Sequence, residues 1–187
     1  MENTRYKSPY EAYPFLSAPD SDLRCDFEIA TDEFASEVGL LAALLRKLSK
    51  TNSSCADYAF LADELIMVEN LVYHANPTLR TFFSVTDDEL QWLIGRATTL
   101  YDLMGGRQEC LFQLPCGCEE ACRAHILRSK AKALKRMAYR AEERGLIVPV
   151  KLYDFLSVLS GYFYRLALWL NQLADVPEIE YFSRNYK

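Results

Sequence analysis

The stretch that decides the fold reads Leu152-Tyr-Asp-Phe-Leu-Ser-Val-Leu-Ser-Gly-Tyr-Phe-Tyr-Arg-Leu-Ala-Leu-Trp-Leu-Asn-Gln-Leu173. Its large apolar residues recur at alternating intervals of three and four, which places them on one side of an α-helix. The members of this stripe are Leu152, Leu156, Leu159, Phe163, Leu166, Leu170 and Leu173. So long a stripe is typical of a helical bundle with left-handed crossings of about 20°. We therefore expect a long helix that begins after Pro149.

Four further stripes with the same spacing precede this one. The first helix is predicted to open at Thr31 or Asp32, since both residues are good N-caps, and to end at Thr51-Asn-Ser-Ser54. The second is predicted over 56–75, where Asn76-Pro77 ends it because proline disfavours helix at the preceding residue. The sequence thus indicates an all-α protein.

The third and fourth helices have clear boundary signals. The third is predicted to open at a capping box, Thr86-Asp-Asp-Glu89, and to break at Gly105-Gly106. The fourth is predicted to begin near Glu119 and to end at Gly145, a C-cap residue. Its stripe contains small residues that allow a neighbouring helix to approach closely: Ala124, Ala131, Ala138 and Ala141.

Length and composition exclude several classes of protein. The chain has 187 residues, which suits one domain; we expect an irregular arm over 1–24 and a single helical bundle over 25–187. The net charge of −5 argues against nucleic-acid binding.

No apolar run reaches the roughly 20 residues of a membrane span, and the N-terminus has no signal-like apolar core. We expect a cytoplasmic protein with mostly reduced thiols.

The fourth helix carries the residues with the most chemistry. Cys122, His125, Arg128, Lys132 and Lys135 recur at intervals of three and four, so they share one stripe beside the alanine seam. The cationic part suits polyphosphate, because arginine and lysine bind its oxygens strongly. A solvated basic face explains the pattern equally well, and both interpretations remain open.

A metal centre is a second interpretation of the same region. Cys116, Cys118, Cys122 and His125 together provide the ligands of a closed tetrahedral site, which would hold Zn²⁺ or Fe²⁺. The spacing is not a common zinc signature, and small thiols packed in a tight turn are the simpler explanation. A di-iron bundle is disfavoured, because neither His74 nor His125 has a glutamate three residues before it.

One segment resembles a known family. The turn Phe112-Gln-Leu-Pro-Cys-Gly-Cys118, followed by a helix with His125-x-x-Arg128, is similar to the cobalamin adenosyltransferases of the propanediol-utilisation type. Asp32, Glu33, Ser36 and Gly39 match the family's first helix, and Glu178-Ile-Glu-Tyr-Phe182 resembles its ending. The resemblance implies a five-helix bundle with ferritin-like up-down packing, assembled as a homotrimer with each site between two subunits.

The resemblance also implies an activity: transfer of the 5′-deoxyadenosyl group of ATP to the cobalt of a reduced corrinoid, with Mg²⁺. Phe112 would exclude the lower axial ligand of cobalt, and Arg128 would act with it in catalysis. The implied ATP-binding residues are Asp32, Glu33, Ser36, Arg128, Lys132 and Lys7. The implied corrinoid-binding residues are Phe112, Leu114, Ser157, Tyr162 and Phe163. The aromatic residues of the last helix cover more than one face, so core and interface roles also fit them.

Three departures from the family pattern leave other functions open. The family's glycine-containing phosphate loop is missing, since no glycine precedes Gly39. An arginine of the family stands as Lys132, and its glutamate stands as Lys135. The alternative hypotheses are a non-catalytic corrinoid-binding homologue without an ATP site, and a Cys/His bundle that senses metal or redox state.

Overall fold

The structure is a computed structural model that describes residues 5–51, 55–106 and 113–185. It contains five α-helices: α1 (Leu23–Leu48), α2 (Cys55–Ala75), α3 (Asp87–Leu103), α4 (Glu119–Glu143) and α5 (Val150–Leu173). A short 3₁₀ helix, Asn76–Leu79, follows α2 directly. The described residues form no strand beyond one isolated bridge between Gln113 and Glu180. The all-α, five-helix prediction is confirmed.

The helices pack around one apolar core. α4 lies against α5 on one side and α1 on the other, while α1 also packs on α2 and α3 packs on α5. Phe34 of α1 meets Phe163 of α5 edge to face, with 5.6 Å between ring centroids. The alanine seam of α4 is fully buried, so α1 and α5 approach it closely. No helix in the described ranges is long and apolar enough to cross a membrane.

The start of α1 differs from the prediction. The helix begins at Leu23 and is capped by Asp22, whose carboxylate accepts from the backbone N–H of Arg24. Thr31 lies inside the helix, where its hydroxyl donates to the carbonyl of Phe27 at 2.8 Å. The prediction that the helix opens at Thr31 or Asp32 is therefore wrong, because the threonine hydroxyl is satisfied by the preceding helical turn.

The other predicted boundaries are confirmed. Thr86 and Glu89 form a reciprocal capping box at the start of α3. Gly145 follows α4 with a φ of +88°, a conformation that glycine adopts at little cost. Pro149 is the N-cap residue of α5. Local signals thus determine where α3, α4 and α5 begin or end.

The N-terminal arm packs on the bundle through a buried ion pair. Arg80 donates to both carboxylate oxygens of Glu28, at 2.8 and 2.9 Å, and Tyr13 of the arm donates to the same carboxylate. The guanidinium of Arg80 also lies 3.5 Å from the ring centroid of Phe15. Two aromatic residues of the arm therefore contact one ion pair formed by α1 and the segment after α2.

A polar network lies inside the bundle and fixes Tyr162. Glu64 of α2 is only 3 % exposed; it accepts from the hydroxyl of Tyr162 at 2.7 Å and from the guanidinium of Arg96. Burial raises the pKa of Tyr162 well above its usual value, so the phenol stays protonated. Both Tyr162 and the adjacent Phe163 are fully buried. Neither ring reaches the surface of the folded chain, which corrects the expectation that these two contact a corrinoid.

Candidate functional site

A group of charges without carboxylate partners lies on the flank of α4 beside α5. Arg128, Lys132 and Lys135 project there, and we call these three residues the cationic flank. Across the described part of the chain, no carboxylate oxygen comes within 4.0 Å of their side-chain nitrogens. Three like charges close together without counter-charges favour an anionic ligand.

Lys135 has a neutral partner. Its ammonium donates to the hydroxyl of Ser157 at 2.7 Å, and that hydroxyl in turn donates to the carbonyl of Tyr153 at 2.6 Å. The ammonium also lies 5.8 Å from the ring centroid of Tyr139. Ser157, predicted to bind the corrinoid, is exposed and holds Lys135 in place. Because a hydroxyl carries no charge, the full positive charge of Lys135 remains available at the surface.

Arg128, which is partly buried, and His125, which is buried, both lie beside the ring of Tyr164. The guanidinium of Arg128 lies 5.4 Å from the ring centroid of Tyr164, and its Nε is buried without a hydrogen-bond partner. His125 is 3 % exposed, and neither ring nitrogen has a partner. Burial, helped by the charge of Arg128, lowers the pKa of His125 to about 4, so the imidazole is neutral at neutral pH. Unpaired buried nitrogens of this kind cost about 1–3 kcal/mol each until a ligand, water or second chain pairs with them.

The predicted metal centre does not form. Within the described ranges, which contain all four predicted ligands, no three histidine, cysteine or acidic side chains could together hold a metal ion. The thiol of Cys122 points back to the carbonyl of Gly117 at 3.8 Å, while the ring of His125 lies against Tyr164. Burial raises the pKa of Cys118 to about 12, so without a bound metal its sulfur is a protonated thiol. The prediction of a site at Cys116, Cys118, Cys122 and His125 is wrong.

The predicted ATP-binding residues of α1 do not lie beside the cationic flank. Asp32 accepts from the hydroxyl of Tyr73 at 2.5 Å. Glu33 and Glu37 both accept from Lys130, at 2.7 and 2.8 Å, while Ser36 and Lys7 are exposed. Lys130 is two residues from both Arg128 and Lys132, a rotation of about 200° around α4. In a single chain, these α1 residues and the cationic flank are therefore on opposite sides of α4.

A cavity adjoins Asp32. Its volume is about 360 Å³, at the small end of the range for ligand pockets. The lining combines aromatic and aliphatic side chains with two carboxylates and an amide: Tyr13, Leu16, Glu28, Ile29, Asp32, Tyr73 and Asn76. The arm and the two helices α1 and α2 together build this cavity.

The turn before α4 is held by a residue that the sequence did not single out. Asn171 of α5 is buried, accepts from the backbone N–H of Cys118 at 3.0 Å and donates to the carbonyl of Cys116 at 3.0 Å. Its only signal in the sequence is an amide within an otherwise apolar stripe. Leu114 in this turn is 38 % exposed, as a ligand contact requires. The predicted catalytic residue Phe112 lies outside the described residues.

Comparison with known proteins identifies the fold. No protein-family model and no curated protein sequence matches the chain. Three solved structures of a PduO-type ATP:corrinoid adenosyltransferase from Lactobacillus reuteri do match it. A phenylalanine-to-alanine variant complexed with cobalamin and ATP has a TM-score of 0.72 and 21% identity, over 87% of each chain.

The two other structures agree with the first. A phenylalanine-to-histidine variant, also complexed with cobalamin and ATP, has a TM-score of 0.70 and 21% identity over 89% of this chain and 86% of that one. An arginine-to-lysine variant complexed with ATP has a TM-score of 0.72 and 23% identity over 86% and 88%. This chain has the fold of the PduO-type ATP:corrinoid adenosyltransferases.

Proposed function

We propose that the chain is an ATP:cob(I)alamin (corrinoid) adenosyltransferase. The observation that carries this proposal is the cationic flank, since Arg128, Lys132 and Lys135 lack any carboxylate partner among the described residues. A triphosphate has the charge and the many oxygen atoms that such a flank binds. The fold, shared with enzymes complexed with cobalamin and ATP, supports the assignment.

The proposed reaction is a displacement at C5′ of ATP. The two electrons of Co(I) form the cobalt–carbon bond, the C5′–O bond breaks, and triphosphate leaves with the electron pair of that bond. Negative charge therefore grows on the leaving oxygen, beside the guanidinium of Arg128 and the ammonium of Lys132 in our assignment. Fixed cations aimed at a developing charge stabilise the transition state more than the bound substrate. An external reductant supplies Co(I).

The lysine at position 132 is compatible with this role. It stands where the family resemblance implies an arginine, and a lysine binds phosphate as a point charge. One of the compared structures carries an arginine-to-lysine change and is complexed with ATP. A change of this kind in this fold thus permits ATP to bind. Phe112 remains the proposed wedge that excludes the lower axial ligand of cobalt.

The described residues do not show a ligand for Mg²⁺ among the ion pairs of the cationic flank. The ion prefers carboxylate and phosphate oxygens, and no described carboxylate oxygen lies within 4.0 Å of the nitrogens of the flank. In our proposal any Mg²⁺ would enter on the oxygen atoms of ATP, and no step depends on a residue of this chain binding it.

We also propose that the site forms between copies in a homotrimer. Asp32, Glu33 and Ser36 are separated from the cationic flank by about half a turn of α4 within one chain. An interface would bring the exposed acidic face of α1 from one copy to the cationic flank of the next. Opposite charges on the two faces favour such a contact. The base and ribose of ATP would then lie near Asp32, with its triphosphate on the neighbouring copy.

A non-catalytic corrinoid-binding protein is the second candidate, and one observation favours it. The arm that would carry a phosphate loop in the family instead packs Tyr13 and Phe15 on the Glu28–Arg80 ion pair. Backbone amides approach phosphate closely only where side chains are absent, so the arm offers no cradle of that kind. This candidate predicts corrinoid binding that ATP does not change.

Calorimetry with each ligand alone separates the two candidates. We expect ATP to bind the wild-type protein, and Lys132→Gln to raise its dissociation constant about tenfold, as expected for one lost charged hydrogen bond. Arg140→Gln is the matched control, because Arg140 is an exposed cation on the same helix but outside the flank. If ATP does not bind the wild-type protein, or if Lys132→Gln and Arg140→Gln lose affinity for ATP equally, the cationic flank is not the triphosphate site.

A further inference from the structure

Asn171 joins three segments of the chain with one side chain. Its Oδ1 accepts from the N–H of Cys118, the N-cap residue of α4. Its Nδ2 donates to the carbonyl of Cys116 at 3.0 Å and to the carboxylate of Glu178 at 2.9 Å. The end of α5, the turn 113–118 and the C-terminal tail are therefore held together at a single buried amide.

The backbone of the turn and the tail adds further links at the same place. The N–H of Leu114 donates to the carbonyl of Ile179 at 2.9 Å, and Gln113 pairs with Glu180 in an antiparallel bridge. Leu114 and Ile179 keep 38 % and 52 % of their surface exposed. The turn and tail together thus form an exposed apolar edge just before α4.

Gly117 shows how tightly the amide fits the turn. Its φ is +128°, and a Cβ atom placed there would lie 2.0 Å from Oδ1 of Asn171. No side chain is compatible with both the backbone conformation and this approach. The turn has room for the amide only because residue 117 is a glycine.

A buried amide at position 171 is not the choice that stability alone would favour. A buried amide loses its water and recovers that loss only through complete hydrogen bonding. A leucine would continue the stripe of Phe163, Leu166 and Leu170 without that requirement. What the amide adds is a fixed geometry, since each of its three bonds has one direction and one length.

We propose that Asn171 is a positioning residue for the corrinoid half of the site. It fixes the turn 113–118 against the tail, so that Leu114 and Ile179 present one apolar edge to the flat face of the macrocycle. This inference rests on the proposed function. Cys118 and Arg128 are ten residues apart, about 15 Å along the helix, so the edge and the triphosphate contacts are separate parts of the site.

The separation gives a test that a merely structural residue would fail. We expect Asn171→Ala to lower the affinity for cob(II)alamin by about 10- to 100-fold, as for small misplacements of binding groups. The spectral change that reports loss of the lower axial ligand of cobalt in the presence of ATP should decrease with it. The calorimetric dissociation constant of this variant for ATP should stay within about twofold of the wild-type value. Gln172→Ala, an exposed neighbour on the same helix, is the control and should change neither.

A pair of tail variants keeps the test decisive if Asn171→Ala does not fold. Glu178→Ala removes the acceptor of the 2.9 Å bond from Nδ2 and leaves both bonds between Asn171 and the turn in place. In Glu178→Gln, the side-chain carbonyl oxygen still accepts from Nδ2, so the link between turn and tail is kept. We expect the spectral change to be reduced in Glu178→Ala and kept in Glu178→Gln.

The outcomes separate this inference from the proposed function. If wild-type protein shows no corrinoid binding, the proposed function is wrong. If wild-type protein binds cob(II)alamin, and Asn171→Ala or Glu178→Ala binds it equally well, only the role of Asn171 is overturned. Equal losses of ATP and corrinoid binding, or equal losses in Glu178→Ala and Glu178→Gln, would likewise show that Asn171 serves the fold and not the corrinoid.

Discussion

At the scale of single residues, His125 links burial to stability. The imidazole is neutral and buried beside Arg128, and its pKa in the folded protein is lowered to about 4. In the unfolded chain a histidine has a pKa of about 6.5. Between these values the unfolded state binds more protons than the folded state, so the free energy of unfolding decreases as the pH falls.

We therefore expect His125→Phe to flatten the pH dependence of unfolding. The wild-type free energy of unfolding should drop by up to about 3 kcal/mol between pH 6.5 and pH 4 through this group, and the variant should lack that component. Urea titrations across this pH range measure it. His74→Gln is the control, because His74 is exposed. Equal slopes for wild-type protein and His125→Phe would show that burial does not hold His125 neutral.

At the scale of elements, the turn before α4 depends on Gly117. Gly117→Ala combines an unfavourable φ of +128° with an overlap at Asn171. Gly145→Ala has a φ of +88°, nearer to the left-handed helical region, and open space around its Cβ. We expect about 1–2 kcal/mol of lost stability for Gly145→Ala, from backbone strain alone, and clearly more for Gly117→Ala. Chemical denaturation of both variants measures the difference, and equal losses would mean that Asn171 moves away freely.

The network of Glu64, Arg96 and Tyr162 joins α2, α3 and α5. Removing one partner of a buried ion pair leaves an uncompensated charge, which costs about 3–5 kcal/mol. We expect a loss of that size for Arg96→Met in thermal or chemical unfolding. Arg46→Met is the matched control, since the Arg46–Asp63 pair is exposed on both sides and should contribute less than about 1 kcal/mol. A small loss of stability in Arg96→Met would show that water solvates the carboxylate of Glu64 in the folded protein.

The elements also show what the sequence could predict. The period of three and four, the capping box at Thr86 and the glycine at 145 identified α2 to α5 closely, because these are local signals. The start of α1 was missed because the hydroxyl of Thr31 bonds inside the helix as readily as it caps one. Asn171 escaped notice because its partners, Cys116, Cys118 and Glu178, are brought to it only by the tertiary fold.

A similar limit applies to the candidate site, whose binding roles stay predictions. Helical spacing puts Arg128, Lys132 and Lys135 on one flank of α4, since residues three and four apart share a face. Spacing does not fix side-chain direction, so the thiols that shared a turn with His125 did not converge on a metal. Nor does it separate core from surface in a helix with aromatics on several faces, which is why Tyr162 and Phe163 were assigned to a ligand and lie in the core.

At the scale of the whole molecule, the proposal requires two copies for each site. Asp32→Lys should disable the α1 side, and Lys132→Glu should disable the cationic flank. Each variant alone is expected to be inactive. When both are co-expressed and mix at random in a trimer, about a quarter of the interfaces contain two intact halves, so adenosyl transfer should recover to that level. No recovery in verified mixed oligomers would place both halves in one chain.

The proposed transfer of the adenosyl group of ATP to cobalt can be measured in one anaerobic assay. Reduced cobalamin, ATP and Mg²⁺ are mixed with the protein, and the absorbance of adenosylcobalamin is followed over time. We expect adenosylcobalamin to form at a rate proportional to wild-type protein, and at least about tenfold more slowly with Lys132→Gln. An absorbance trace indistinguishable from the protein-free mixture, at a protein concentration matching the cobalamin, would contradict the account.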